Sequence, residues 1–197
     1  HYTLGRVTSM HLHCSVFIAT SLDGYIARED GSIDWLEAAN ATVPQGEDCG
    51  YLRFMSSVDV LVMGSGTFDK VLSFPEWLYG EKAVWVVSRT LTRLPDHLPS
   101  QVRLMNCTPG EIVTIARQSG FKRLYVDGGK LIQSFLRDGL ITDLTITTIP
   151  VLLGSGRALF GPLASDVKLQ LVSCHSYPFG FIQTTYRLDT LRSSRPA

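Results

Sequence analysis

Short apolar runs separated by helical patterns fill the first 140 residues of the chain. Four of these runs are continuous rather than alternating, at residues 15–20, 58–63, 83–87 and 124–126. Continuous apolar runs of this length indicate strands buried on both faces, as in a parallel sheet covered by helices. The pattern therefore predicts an α/β core built on at least four parallel strands.

Helices are predicted between these runs. The stretch Thr108-Pro-Gly-Glu111 has the spacing of a capping box with proline at the first helical position, and Gly120 supplies the stop. A second helix is predicted over residues 130–138 and ends at Gly139. An earlier one is predicted over residues 47–57, where Tyr51, Leu52, Met55 and Val58 recur at helical spacing.

The pattern changes after residue 140. Residues 143–149, 168–176 and 181–188 are rich in β-branched side chains and partly alternate, and the last two segments are joined by Tyr-Pro-Phe-Gly. This arrangement predicts strands that end in an antiparallel hairpin. We expect one domain over residues 11–190, preceded by a disordered or artificially added segment 1–10 and followed by a tail at 191–197.

Composition narrows the classes of function. The chain has 197 residues, 45% of them hydrophobic, and a formal net charge of zero. Without a basic surplus, a nucleic-acid partner is not expected, and no apolar run approaches the roughly 20 residues of a membrane span. The four cysteines are scattered and form no C-x-x-C pair, which favours a reducing, cytoplasmic setting and no metal site.

The residues that follow each apolar run are small or hydroxylated. The four exits are residues 21–24 (SLDG), 64–67 (GSGT), 88–90 (SRT) and 127–130 (DGGK). In open α/β sheets, ligands bind beyond the carboxyl ends of the strands, and helix N-termini favour anions. The exits are either ordinary turns or a site for a phosphorylated, dinucleotide-sized ligand, and four at one edge favour the ligand. The G-x-G-x-x-G and P-loop fingerprints both fail here.

The motifs VFIATSLDGYIA, VDVLVMGSGTF, VWVVSRTL, LYVDGG and TDLTITTIPVLLGSGRALF occur in this order over residues 13–188. In this order they resemble the dihydrofolate reductase-like superfamily, most closely the branch of the riboflavin-biosynthesis reductase domain and its stand-alone relatives. The resemblance implies a central, mostly parallel sheet flanked by helices, with a C-terminal antiparallel hairpin. It also implies NADPH at the strand ends and a homodimer.

The resemblance also implies roles for individual residues in cofactor binding. It assigns a phosphate turn to Gly64, Ser65, Gly66 and Thr67, and the adenosine ribose site to Ser88, Arg89 and Thr90, with Arg89 on the 2′-phosphate. It assigns the pyrophosphate site to Gly128, Gly129, Lys130 and Leu131. The nicotinamide contacts are Ala19 and Leu22. Ser65 stands where the family usually has arginine. We therefore expect NADPH to bind more weakly, with Arg89 or Lys130 compensating.

Hydride transfer also requires a proton for the neighbouring atom of the substrate. Asp23, Asp34 and Asp127 are the candidate catalytic carboxyl groups. Trp35 and Asp48 are candidate substrate contacts, with Glu47 as the alternative to Asp48. An ordinary turn, cap or packing role is the alternative for the aspartates and for Trp35.

The riboflavin-pathway reductases typically have lysine where this chain has Tyr25. That lysine helps to hold a ribose phosphate, so its absence counts against a phosphoribosylamino-uracil substrate. The expected function is an NADPH-dependent reductase of a pterin, a pyrimidine or a related heterocycle. The alternatives are a non-catalytic nucleotide-binding protein derived from a reductase, a true dihydrofolate reductase, and an interaction protein whose glycines are only turns.

Overall fold

A computed structural model describes residues 11–189 of the chain. The predicted segments 1–10 and 191–197 lie outside the described residues. The strands are β1 His13–Ser21, β2 Tyr25–Ala27, β3 Val60–Gly64, β4 Ala83–Val87, β5 Val102–Met105, β6 Arg123–Asp127, β7 Asp143–Ile149, β8 Arg157–Ala158, β9 Leu169–Ser176 and β10 Ile182–Leu188. The helices are α1 Asp34–Asn40, α2 Tyr51–Ser56, α3 Ser65–Leu72, α4 Pro109–Gln118 and α5 Gly129–Arg137.

Eight strands form one sheet in the order β5-β4-β3-β6-β1-β7-β10-β9. The first six run parallel to one another, whereas β10 pairs antiparallel with both β7 and β9. Strands β2 and β8 form a separate two-stranded pair. The predicted fold class, a mostly parallel sheet flanked by helices and closed by an antiparallel hairpin, is confirmed.

The continuous apolar runs are buried because helices cover both faces of the sheet. In β3, Val60 and Val62 belong to a core cluster that includes side chains of α4 and α5. Leu61 and Met63 alternate with them and join side chains of α3 on the opposite face. A strand that is covered on both faces, such as β3, therefore needs apolar residues at successive positions, which explains why the runs do not alternate.

Several predicted elements are found with close boundaries. Strands β4 and β7 match the predicted ranges, and residues 177–180 connect β9 to β10. Thr108 Oγ1 accepts the backbone N–H of Glu111, and the Glu111 carboxylate accepts that of Thr108, so the predicted capping box begins α4. Within residues 11–189, no helix combines the length and the apolar character needed to cross a membrane.

The helix predicted over residues 47–57 is wrong at its N-terminal end. Cys49 and Gly50 have φ angles of 53° and 82°, in the left-handed region, so the chain turns there and α2 begins at Tyr51. Asp48 lies before the helix and accepts the N–H groups of Gly50 and Leu52 at 3.0 and 2.9 Å. The sequence analysis also missed the short elements β2, β5, β8 and α1, whose patterns are too brief to stand out.

Candidate active site at the carboxyl edge of the sheet

The four predicted strand exits lie at one edge of the sheet. Strands β4, β3, β6 and β1 are neighbours in this order and run parallel, so their carboxyl ends point the same way. In the pairing register, Met63 lies opposite Asp127, and Gly64 lies opposite Val87. The turns at 64–67, 88–90 and 127–130 are therefore brought together, as a site beyond the strand ends requires.

The helices α3 and α5 begin side by side at this edge, and neither has a side-chain cap within the described residues. Helix α4, in contrast, carries the full capping box of Thr108 and Glu111. Uncapped N-termini leave backbone N–H groups free to bind an anion, and the helix dipoles favour negative charge there. The two adjacent helix starts are thus suited to a phosphate-bearing ligand.

The glycine pair at the start of α5 has a structural reason at each position. Gly128 has a φ angle of 103°, and a β-carbon there would lie 2.6 Å from Thr67 Oγ1. A β-carbon on Gly129 would lie 2.8 Å from Ile26 Cδ1 of β2. The absence of a side chain at Gly128 therefore lets the turns after β3 and β6 approach each other, and its absence at Gly129 lets α5 begin close to β2. In contrast, a β-carbon on Gly64 or Gly66 would meet no protein atom within 4 Å, so the space beside that turn is open.

The turn after β4 supplies a free cation. Ser88 is buried, and its Oγ accepts the backbone N–H groups of Thr90 and Leu91 at 3.2 and 3.0 Å, which fixes the turn. Arg89 projects as an exposed side chain and forms no salt bridge with any residue in 11–189. On α5, Lys130 is exposed, whereas Leu131 packs in the core. These residues fit a cofactor that carries phosphates, with Arg89 available for one of them.

Asp127 ends β6 at the centre of this edge. Its carboxyl group is largely surrounded by protein, and this burial raises its pKa from 3.8 to about 6, partly opposed by the N–H of Gly128. The negative charge of Asp127 adds to burial in raising the pKa values of Tyr51, Tyr79 and Tyr125. A carboxyl group that stays protonated up to about pH 6 is a suitable proton donor.

A cleft of about 600 Å³ lies beside this edge, over the face of β6, β1 and β7. Its floor and walls are mostly apolar or aromatic: Phe17, Ala19, Tyr51, Tyr125, Ile149 and Phe181. Two of these aromatic rings are in tilted contact, with 6.1 Å between the centroids of Phe17 and Tyr51. The size and lining suit a flat heterocycle. Of the two predicted nicotinamide contacts, Ala19 lines this cleft, whereas Leu22 is 66% exposed beyond β1.

The outer wall of the cleft is the loop between α1 and α2, which includes Asp48 and Cys49. Gln183 of β10 holds this loop to the sheet, because its Nε2 donates to the Cys49 carbonyl at 2.8 Å and to Thr147 Oγ1 at 3.0 Å. Asp48 is exposed at the rim, and its two hydrogen bonds from backbone N–H groups keep its pKa low. Its position is compatible with the predicted contact to substrate.

Asp23 joins two loops. Its carboxylate accepts the Ser21 hydroxyl at 2.6 Å and the N–H groups of Leu153 and Gly154 at 3.1 and 2.8 Å. The Ser21 hydrogen bond is the main reason that the pKa of Asp23 is lowered. This geometry favours an anchoring role over proton donation, because a carboxylate held in its ionised form has no proton to give.

Asp34 and Trp35 lie at the start of α1. The Asp34 carboxylate is exposed and accepts two hydrogen bonds from Arg28, at 2.6 and 3.2 Å, which lower its pKa. Trp35 is 6% exposed and packs with Ile149 and Phe181 behind the cleft wall. Its indole N–H has no hydrogen-bond partner in the described part of the chain. Asp34 therefore faces an arginine and solvent, whereas Trp35 supports the cleft without lining it.

The sequence analysis did not identify Gln183, Thr147 or the aromatic floor as parts of the site. Phe17 and Tyr125 stand in apolar strands and had no visible signal besides burial. Gln183 is a polar residue in a strand rich in β-branched residues, and this is a weak signal that it could have a role in the site. No local pattern predicts that the 43–49 loop contributes to the site, because its hydrogen-bond partner Gln183 is 134 positions away from Cys49 in the sequence.

Comparison with known proteins identifies a family for the chain. A family model of the RibD C-terminal domain matches residues 13–182. The uncharacterized protein YwjB of Bacillus subtilis is 37% identical over 161 residues, which cover 79% of this chain and 87% of YwjB. The crystal structure of a candidate riboflavin biosynthesis protein from Shewanella sp. PV-4 has 41% identity and a TM-score of 0.84, covering 90% of this chain and 99% of that one.

More distant structures share the fold. The Thermotoga maritima diaminohydroxyphosphoribosylaminopyrimidine deaminase/5-amino-6-(5-phosphoribosylamino)uracil reductase is 16% identical with a TM-score of 0.67, over 93% of this chain and 58% of that one. Enterococcus faecalis dihydrofolate reductase, solved with NADP(H), is 16% identical with a TM-score of 0.59, over 90% of this chain and 96% of that one. The family match confirms the predicted branch, and these structures confirm the predicted dihydrofolate reductase-like fold.

Proposed function

Because the chain belongs to the RibD C-terminal domain family, we propose that it is an NADPH-dependent reductase of a small heterocycle, such as a pterin or a pyrimidine. One observation carries the proposal: the uncapped starts of α3 and α5 meet beside the exposed Arg89, next to an aromatic cleft. Anion donors and a flat apolar pocket are the two parts that such a reaction needs.

The residues that would hold NADPH follow from the strand ends. The backbone N–H groups after Gly64 and Gly128 would bind phosphates, and the hydroxyl of Thr67, from the first turn, lies against Gly128 of the second. Arg89 would pair with the 2′-phosphate, because its guanidinium group can donate two parallel hydrogen bonds to such an anion. NADPH, when bound, supplies a hydride from its nicotinamide ring. Ser65 offers a hydroxyl rather than a charge, so affinity depends more strongly on Arg89.

The protein would orient the substrate and deliver a proton. The rings of Phe17 and Tyr51 would hold the heterocycle in the cleft and exclude water from one of its faces. Asp127 is our choice for the proton donor, because it lies on the same face of β6 as the cleft residue Tyr125, two positions before it in the strand, and its raised pKa keeps a proton on the carboxyl group in mildly acidic solution. Asp23 and Asp34, whose pKa values are lowered, would serve to fix loops instead.

The variant Arg89→Ala tests the cofactor assignment. We expect the Kd for NADPH to rise about 10- to 100-fold, because one charge-assisted contact contributes about 1.5–3 kcal/mol. The Kd for NADH, which lacks the 2′-phosphate, should stay nearly unchanged. Fluorescence titration of both cofactors measures this. The matched control is Arg93→Ala, since Arg93 is also exposed but pairs with Asp96 at 2.7 Å.

Turnover is tested by following NADPH absorbance with a panel of pterins, including dihydrofolate, and pyrimidines. Oxidation with one class of substrate supports the proposal. Saturable NADPH binding without oxidation across the panel would indicate a non-catalytic cofactor-binding protein. If neither cofactor binds, or if Arg89→Ala weakens NADPH and NADH equally, the assignment of the strand-end site is wrong.

A further inference from the structure

The cleft carries negative charge and no positive charge on its walls. Glu47 and Asp48 stand on the loop that forms its rim, and no lysine, arginine or histidine is among the described residues that line it. We infer that the substrate of this cleft bears no phosphate and is a neutral or cationic heterocycle rich in N–H groups. This inference rests on the proposed function and specifies its substrate class.

The acidic rim is held in place over the cleft. The Cys49 carbonyl, next to Asp48, accepts the Gln183 amide at 2.8 Å, and the same amide bonds Thr147 on the cleft wall. Glu47 Oε2 accepts the N–H of Cys49 at 3.0 Å. The carboxylates are therefore fixed relative to the sheet and cannot swing away without breaking these bonds.

Both rim carboxylates keep acceptor capacity for a ligand. Asp48 uses one lone pair of each oxygen for the N–H groups of Gly50 and Leu52. These bonds lower its pKa, so it remains ionised near neutrality. A carboxylate has about four acceptor positions, so amino groups of a heterocycle can still bind.

The basic side chains closest in sequence to α1 and α2, those of Arg28 and Arg53, have other partners or lie on another face. Arg28 donates two hydrogen bonds to Asp34, at 2.6 and 3.2 Å, and is not among the residues that line the cleft. Arg53 follows Tyr51 by two positions on α2, which places it on a different side of the helix, and it is not among the lining residues. A phosphate in this cleft would thus meet carboxylates without a cation to balance it.

The name of the Thermotoga maritima relative gives a contrast, because the substrate in that name carries a phosphoribosyl group. A matched pair of compounds isolates this group: 5-amino-6-(5-phosphoribosylamino)uracil and its dephosphorylated ribosylamino form. The present cleft should prefer the second compound. The preference should weaken as salt is added, since exposed charges are screened.

The test measures the Kd of both compounds by calorimetry on the full chain, in the presence of NADP⁺, which cannot reduce them. We expect the dephosphorylated compound to bind at least about tenfold more tightly, because like charges at the rim oppose the phosphate. The double variant Glu47→Gln with Asp48→Asn keeps the shapes and removes both charges, so it should bring the two Kd values close together. The matched control is Glu76→Gln with Glu81→Gln, two exposed carboxylates outside the cleft, which should leave the preference unchanged.

Three outcomes would overturn the inference: equal or tighter binding of the phosphorylated compound, no binding of either compound, or a preference that persists in the double variant. Parallel assays of NADPH oxidation separate this inference from the proposed function. If the dephosphorylated form binds preferentially but no NADPH is oxidised with any compound, the substrate class stands and the reductase proposal fails.

Discussion

Asp127 carries a carboxyl group that folding makes harder to ionise. Burial raises its pKa from 3.8 in the unfolded chain to about 6, so the folded state binds more protons than the unfolded state between these values. Stability contributed by this group is therefore present at low pH and lost as the pH rises towards 6. At pH 7 the ionised, poorly solvated carboxylate destabilises the fold.

The variant Asp127→Asn should consequently be more stable than the natural chain at pH 7. The shift from 3.8 to about 6 sets an upper limit near 3 kcal/mol, and partial exposure lowers the expected gain to about 1–2 kcal/mol. The gain should disappear near pH 4, where the native carboxyl group is already protonated. Urea unfolding at both pH values measures it. Equal unfolding free energies of the two proteins at pH 7 would show that Asp127 is well solvated.

The same variant tests the proton donor. If Asp127 donates the proton, kcat/KM should fall with increasing pH above an apparent pKa of about 6. Asp127→Asn should remove this limb and lower kcat by about 100-fold or more, the usual contribution of a general acid. Single-turnover rates measured across pH 5 to 8 provide the comparison, with Asp138→Asn as the control on an exposed aspartate after α5. An unchanged limb in the Asp127 variant would assign the proton to another group.

At the scale of elements, the sequence predicts best where local chemistry and tertiary packing agree. Helix α4 could be predicted because Thr108 and Glu111 form a capping box that needs no distant partner. Strands β3 and β4 could be predicted because burial on both faces leaves a continuous apolar run. The start of α2 could not, since the left-handed turn at Cys49 places a non-glycine residue in an uncommon conformation.

The hydrogen bonds of Asp23 lead to a prediction about the two loops that they join. Its carboxylate joins the turn after β1 to Leu153 and Gly154, which precede β8. In Asp23→Ala these two N–H groups lose their acceptor, so we expect faster amide hydrogen exchange at residues 153–154 and a lower melting temperature. Turnover should persist if Asp23 is an anchor, whereas loss of the proton donor would abolish it.

Two variants sharpen this test. Asp23→Asn keeps an acceptor oxygen and should recover most of the exchange protection, although an amide is a weaker acceptor than a carboxylate. Asp30→Ala is the control, because Asp30 also accepts a backbone N–H, that of Ser32, but within its own turn. Exchange at residues 153–154 that is unaffected in Asp23→Ala would show that other contacts hold the two loops together.

At the scale of the whole molecule, the sequence predicts one part of the candidate site, the edge at the strand ends, but not the other part, the cleft. The edge that we propose to bind phosphates could be predicted, because parallel strands place their carboxyl ends together whatever their order along the edge. The cleft could not be located, because its floor combines Phe17 and Tyr125 with Phe181 from beyond β9. Such contacts depend on the strand order, in which β7 and β10 follow β1, and the apolar pattern does not fix that order.

Among residues 11–189, no segment covers the outer edge of the C-terminal hairpin. Strand β9 is the last strand in the sheet order and is exposed along its whole length, with Leu171 and Val172 57% and 58% exposed. Exposed apolar edge strands are usually covered in a native protein. The implied homodimer remains a prediction, and we expect a second copy of the chain to cover β9.

The variant Leu171→Lys with Val172→Lys should therefore convert a dimer into a monomer, because each charge would be buried without a partner in the interface. Light scattering after size exclusion should give about twice the 21.8 kDa chain mass for the natural protein and about that mass for the variant. Leu78→Lys is the matched control, a similarly exposed leucine outside the C-terminal hairpin that should leave the dimer intact. A monomeric natural protein, or a variant that still dimerises, would show that β9 is not the interface between copies.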